Sequence, residues 1–316
     1  MDLTPHVRTN VRQQTIATYF LFMNLSWIFS GIILPLGALL FSISALHAQG
    51  PKIVTPTAGD NTGKTTTPHT GTTSTRTTPR QHLTRPEDPH KKLNYPWHMH
   101  VTATIFWIGE KPTPKNPTPN HASSWDVNWQ KNFGGFDNPD PTTRTKYRPK
   151  AFVPQQNPFY IALPYNDCVN HKLHKPEASR VIPWWRRASP APGKTTCKGR
   201  WVQIVFNKKV CFAQWEDCGP FNTVDWRYVF GGQKPMNPKN KGAGIDLSPS
   251  VRDYLGMKSG DKVHWRFIDF RHVPRYGPWT WYGKNNPFKD PKQDPDFEAN
   301  RRFMEYLKNL PYKPKY

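Results

Sequence analysis

The chain has 316 residues, 34 of them proline and 13 tryptophan, with 36% hydrophobic residues and a formal net charge of +22. The apolar share is too low for a chain packed along its whole length, and the 14% of aromatic residues calls for a ring-rich core or a surface that meets sugar faces. The charge favours an anionic polymer as partner, whether nucleic acid, acidic lipid or an acidic cell wall; without zinc-finger spacing, a basic heptad helix or an RNA-recognition signature, nucleic acid is the disfavoured one.

Residues 16–48 run IATYFLFMNLSWIFSGIILPLGALLFSISALHA without a charge, after Arg8 and Arg12. The run ends in Ala45-Leu-His-Ala48 before Gln49, the kind of ending signal peptidase cuts, and it is also long enough to span a bilayer. Residues 1–48 are therefore expected to be a signal peptide or an N-terminal anchor, with the rest exported to the periplasm, envelope or exterior. Membrane contact is expected only through this segment, if it stays uncleaved. Residues 49–94 are rich in Thr, Pro and basic residues and read as an unstructured linker, because they lack the apolar surface that offsets ordering entropy.

From 95 to 286 the signals are mostly strands. His100–Ile108 and Pro158–Leu163 are β-branched and aromatic. Trp201–Phe206 and Val210–Trp215 flank Asn207-Lys-Lys209 and read as a hairpin; Lys262–Ile268 is a further strand. One helix is clear, with Ser248 as N-cap, Pro249 at its first position and Gly256 at its end. A small β structure of this kind needs closure to hide its edges. Residues 287–316 form a tail with a short helix, marked by Phe297, Phe303, Met304 and Leu307. The four cysteines, Cys168, Cys197, Cys211 and Cys218, fit two disulfides in an exported protein, with three connectivities open. They lack the spacing of a zinc knuckle, so neither a metal nor a cofactor is expected.

Three motifs stand in order: Asp217-Cys-Gly-Pro-Phe221, Ile245-Asp-Leu-Ser248 and Leu255-Gly-Met257. Together they resemble the rare lipoprotein A family and the expansins over residues 199–270, and more faintly over 100–165. That resemblance implies a six-stranded double-psi β-barrel, here with one short helix, long loop insertions (one near 169–196) and a C-terminal helix. It also implies a groove where Asp217 and Asp246 meet. Relatives include lytic transglycosylases of peptidoglycan, in which a carboxyl group acts as general acid and then base. Asp217 and Asp246 are the candidate pair, with Trp215 walling the groove. Asp137, in Asn132-Phe-Gly-Gly-Phe-Asp-Asn-Pro139, is a third candidate. Each has a structural alternative: turn formation for Asp137, satisfying turn donors for Asp217, helix-start electrostatics for Asp246. Glu216 is expected to face outward.

Two departures weigh against turnover. The family's His before its second-strand Leu-Pro falls here near Tyr160, and its Arg is replaced by Cys218. Trp226 and Arg227, with Trp215 and Tyr160, offer stacking and charge for a cell-wall polysaccharide or another acidic glycan. Trp184, Trp185, Trp279 and Trp281 beside Arg186, Arg187 and Arg275 read similarly, or as loop packing. The sequence thus favours an exported glycan-binding module, with a lytic transglycosylase-like enzyme or a structural scaffold as alternatives.

Overall fold

The computed structural model describes residues 84–114 and 116–310. The leader and most of the linker lie outside the described residues. Among those described, no helix is long and apolar enough to cross a membrane.

Six strands close into one barrel: β1 (His98–Ile105), β2 (Tyr160–Leu163), β3 (Trp201–Phe206), β4 (Lys209–Cys218), β5 (Ala243–Leu247) and β6 (Lys262–Ile268). Their order around the barrel is β1-β6-β3-β4-β2-β5. Neighbours are antiparallel except β1 with β5 and β2 with β4, which run parallel. Closure leaves no edge unpaired, which suits strands this short. The expected hairpin is β3–β4: Phe206 pairs with Lys209 across Asn207 (φ 44°) and Lys208 (φ 67°), two left-handed positions that match strand twist. The Gly-rich approach to Asp246 is itself a strand, β5. Gly244 is obligatory there, since a Cβ would lie 2.4 Å from Pro235 Cγ and 2.7 Å from the Tyr228 hydroxyl.

Side chains of β2 divide between two apolar clusters, as a two-residue period requires. Ile161 and Leu163 join the main core with Val202, Ile204, Ala213, Trp215, Ile245, Leu247, Val263 and Trp265. Tyr160 and Ala162 face a smaller cluster with Phe106, Ile108, Trp129 and Phe133. The expected helix is α2 (Pro249–Leu255), after α1 (Trp129–Phe133). Ser248 Oγ accepts from Val251 N and donates to Pro158 O, which ties the helix start to the lead-in of β2.

Segments on both sides of the barrel pack against it. The linker's end is docked: Arg187 donates to Lys91 O, Arg271 to Pro89 O, and Tyr95 to Asp269. At the other end Asp296 pairs with Arg187 (2.9 Å) and Arg200 (2.8 Å). That anchors α3 (Phe297–Lys308), which buries Ala299 and Phe303. The 169–196 insertion folds back over the barrel through Trp184, 1% exposed and in ring contact with Phe230 and Phe267.

The expected disulfides are not formed; all four cysteines are free thiols. Cys211 sits in the core opposite Ile204, and Cys218 ends the same strand. At about 3.3 Å per residue they are on the order of 20 Å apart, far beyond disulfide reach. The Cys218 thiol instead meets Tyr165 O at 3.2 Å, and the Cys168 thiol meets Asp167 at 3.7 Å.

Candidate active site

Strand pairing brings two of the three candidate carboxylates together. Thr104 of β1 pairs with Asp246 of β5, Asp246 with Ala162 of β2, and Ala162 with Asp217 of β4. The result is one row across four neighbouring strands, Thr104–Asp246–Ala162–Asp217. Paired positions present side chains to the same face, here the face of the smaller cluster. The only side chain between the two acids is a methyl group.

The row depends on a β-bulge. Ile161 pairs with Trp215, but the next residue, Ala162, pairs with Asp217, so Glu216 is an extra residue in β4. The bulge resets the alternation: Trp215 points into the main core and Asp217 out to the row. This is why two adjacent acids can follow a buried tryptophan in one strand.

Asp217 is 8% exposed, and its Oδ1 accepts from Ser124 N (2.7 Å) and Cys218 N (2.8 Å). Burial nonetheless pushes its carboxyl up to about 6. Asp246 accepts a hydrogen bond from the Thr104 hydroxyl. Gly219 leaves room for its other oxygen; a Cβ there would lie 3.2 Å from Asp246 Oδ2. Burial lifts Asp246 to about 7, and the charges of Asp217 and Glu110 push the same way.

Glu110 extends the site and was not read from the sequence. It accepts from Asn120 Nδ2 at 2.9 Å, and burial raises its pKa. It lines a cleft of about 790 Å³ with Trp107, Pro112, Pro119, His121 and Phe136. The cleft is mostly apolar and ring-edged, which suits stacking; none of the four row residues lines it, and Glu110, whose charge acts on Asp246, is what links the two.

The other predicted residues are placed differently. Asp137 is fully buried, 2.5 Å from Arg144 Nη1, and accepts from the Tyr160 hydroxyl at 2.8 Å. It anchors the fold and is closed to a substrate. Tyr160 is 1% exposed and Trp215 fully buried, so neither can stack on a glycan; the Trp215 indole donates to Asp217 O at 2.7 Å. Trp184 and Trp279 are core residues as well. These rings fill a barrel whose strands are short and whose loops are long. Trp226 is half-buried, with the exposed Arg227 guanidinium 4.3 Å from its ring centre, and Trp281 is 44% exposed. Glu216, expected outside, is only 2% exposed. Its Oε1 accepts from Asn285 Nδ2, while Lys198 Nζ stands 4.0 Å from Oε2; burial raises the carboxyl to about 7. The bulge turns this side chain under the 285 loop, an effect that strand alternation cannot foresee.

Comparison with protein families, with curated proteins and with solved structures gives no match.

Proposed function

We infer that the barrel is a glycan-cleaving enzyme of the lytic transglycosylase type, acting on cell-wall polysaccharide from an exported position. The observation that carries this reading is the Thr104–Asp246–Ala162–Asp217 row, two acids with raised pKa set on either side of a methyl group. The parallel pairs β1–β5 and β2–β4 support a double-psi barrel, the topology implied by the Asp-x-Gly-Pro-Phe and Ile-Asp-Leu-Ser motifs.

In this reading Asp246 is the proton donor. A carboxyl that titrates near 7 is partly protonated at neutral pH, and burial makes it a willing donor to a glycosidic oxygen. Once ionised, it can take the proton of a hydroxyl on the same sugar. The glycosidic bond breaks as its oxygen takes the Asp246 proton, and the deprotonated hydroxyl then closes on the anomeric carbon, which gives an anhydro product without a water nucleophile. Asp217 keeps the Asp246 pKa high and faces the positive charge that develops on the sugar. The cleft of Trp107 and Phe136 holds neighbouring sugars.

Incubating the purified protein with peptidoglycan sacculi tests this directly. Mass spectrometry of the supernatant is expected to show anhydro-muropeptides, and none with Asp217→Asn. Binding to the pellet without release would instead favour a wall-binding module. The arginine–tryptophan pairs at the surface, exposed Arg227 on half-buried Trp226 and half-buried Arg266 on exposed Trp97, are the observation in favour of that second reading.

The activity is expected to be bell-shaped in pH, with its maximum between about 6 and 7. The acid limb belongs to ionisation of Asp217 and the alkaline limb to loss of the Asp246 proton, as macroscopic values of the coupled pair. Thr104→Val removes a hydrogen bond to the ionised form of Asp246. The alkaline limb should move up by roughly one to two pH units, because a hydrogen bond to a charged group contributes about 1.5–3 kcal/mol.

A further inference from the structure

Where the 169–196 insertion leaves the barrel, a short ribbon starting at Cys168 carries a second cluster of chemistry-bearing side chains. Cys168 pairs directly with His174, and Val169 with Leu173, across a turn in which Asn170 and His171 are both left-handed. Cross-strand pairing places the Cys168 and His174 side chains on one face. Asp167, fully buried, adjoins them, and Lys175 N donates to Asp167 O to hold the ribbon's ends in register. One ligand atom from each of Asp167, Cys168 and His174 lies within 4.8 Å of the other two.

We propose that Asp167, Cys168 and His174 form a zinc-binding site, remote in function from the carboxylate row, with a fourth position left to water. Three features of the surroundings fit a metal centre. His174 Nε2 lies 2.9 Å from Lys194 O, and a carbonyl oxygen only accepts. The proton therefore sits on Nε2, and Nδ1 carries the lone pair a metal takes. The Asp167 carboxylate is oriented by three donors: Thr195 Oγ1 (2.6 Å), Thr196 N (2.7 Å) and Thr196 Oγ1 (3.1 Å). Ligating carboxylates are held by outer hydrogen bonds in the same manner. Lastly, the Cys168 thiol lies 3.7 Å from Asp167 Oδ1. A thiol proton facing a carboxylate stands where a metal bridging the two would stand.

The donor set selects the metal. Thiolate and imidazole suit zinc and disfavour calcium and magnesium, which take oxygen ligands. Tetrahedral zinc needs its ligand atoms about 3.3–3.7 Å apart, so closing the set asks for a movement of about 1 Å. The half-exposed ribbon side of His174 gives the ion a way in, and Cys168, 7% exposed, closes the inner side. The nearest competing cation, Lys175, is tied elsewhere: its Nζ donates to Thr223 O and lies over the Tyr165 ring at 5.0 Å. On binding, the Zn–S bond forms as the S–H bond breaks, and the proton passes to the buffer.

The test uses the full chain under reducing conditions, loaded with zinc or cobalt(II) alone and dialysed. The expected result is one zinc per chain, release of about one proton per zinc at neutral pH, and thiolate-to-cobalt absorption in the near ultraviolet. Cys168→Ser should abolish that absorption, and His174→Ala should weaken zinc binding about 100-fold. Cys218→Ser should leave both unchanged. His174 is half-exposed on a ribbon outside the barrel, so its variant should fold, as near-ultraviolet circular dichroism would verify. Dialysed protein that retains no zinc, or a cobalt band that survives Cys168→Ser, would overturn the proposal.

Discussion

Asp246→Asn is expected to abolish release of anhydro-muropeptides and, at pH 8, to make the protein more stable than the wild type. Both effects have one origin. Burial holds the Asp246 carboxyl at about 7, whereas in the unfolded chain it titrates near 4. For an acid whose folded pKa is raised, the folded state resists ionisation. The penalty begins above the unfolded value and is complete above the folded one, where it is on the order of 4 kcal/mol. Asparagine keeps an oxygen for the Thr104 hydroxyl and carries no charge, so it avoids most of that penalty. At about 2–4 °C per kcal/mol for a domain of this size, Tm at pH 8 should rise by several degrees. The gain should shrink as pH falls through 7 and vanish below about pH 3, where wild-type Asp246 is protonated in both states. Calorimetry across this range, beside the sacculus assay, measures the stability and the activity together. An acid retained purely to cap or pair would show the opposite sign at pH 8. A gain in stability joined to a loss of turnover is the signature of a group kept for chemistry at the expense of the fold.

What could be read from the sequence follows from where local rules suffice. The hairpin was legible because two turn residues sit between alternating strands, and α2 because Ser248, Pro249 and Gly256 mark its ends with side chains that act on adjacent backbone. The Asp217–Asp246 pair was legible only through motif order, since strands far apart in sequence bring the two together across Ala162. Four things were out of reach. Glu216 was misplaced because one extra residue in β4 reverses the inside–outside alternation beyond it. Trp215 and Tyr160 were over-read as sugar platforms because burial depends on what folds over the barrel, whereas Trp184 and Trp279 pack in the core as the loop-packing alternative has it. The cysteines were paired by number, with three connectivities open; all four are free, and the shared strand by itself excludes the one connectivity that joins Cys211 to Cys218. Glu110 carries no motif at all. Its place in the site comes from the cleft around it and from the push of its charge on Asp246.

Arg144→Met is expected to be strongly destabilising, and it separates Asp137 from the proposed catalytic pair. The Arg144 side chain is 3% exposed and makes four hydrogen bonds: Nη1 to Asp137 Oδ1 (2.5 Å) and Asn138 O (2.9 Å), Nε to Asp253 Oδ2 (2.9 Å), and Nη2 to Ser250 Oγ (2.9 Å). It thus links the loop before β2 to helix α2. Burial raises the Asp137 pKa and Arg144 opposes that rise, so without the guanidinium a buried carboxylate has the Tyr160 hydroxyl as its remaining side-chain partner. Removing one member of a buried ion pair costs about 3–5 kcal/mol, which corresponds to a fall in Tm of roughly 10 °C. The loss should deepen as pH rises above 4, because the unfolded chain ionises Asp137 freely and the folded variant does not. Combining Arg144→Met with Asp137→Asn removes the stranded charge and should recover part of the loss, which thermal unfolding of the two single variants and the double would measure. Asp137→Asn alone, assayed below its own Tm, should still release anhydro-muropeptides. Loss of turnover in that variant while folded would place Asp137 with Asp217 and Asp246 as a group that acts on substrate. Retained turnover confines the chemistry to the row across β1, β5, β2 and β4, and leaves Asp137 and Arg144 the task of holding β2 so that Ala162 keeps the two acids apart.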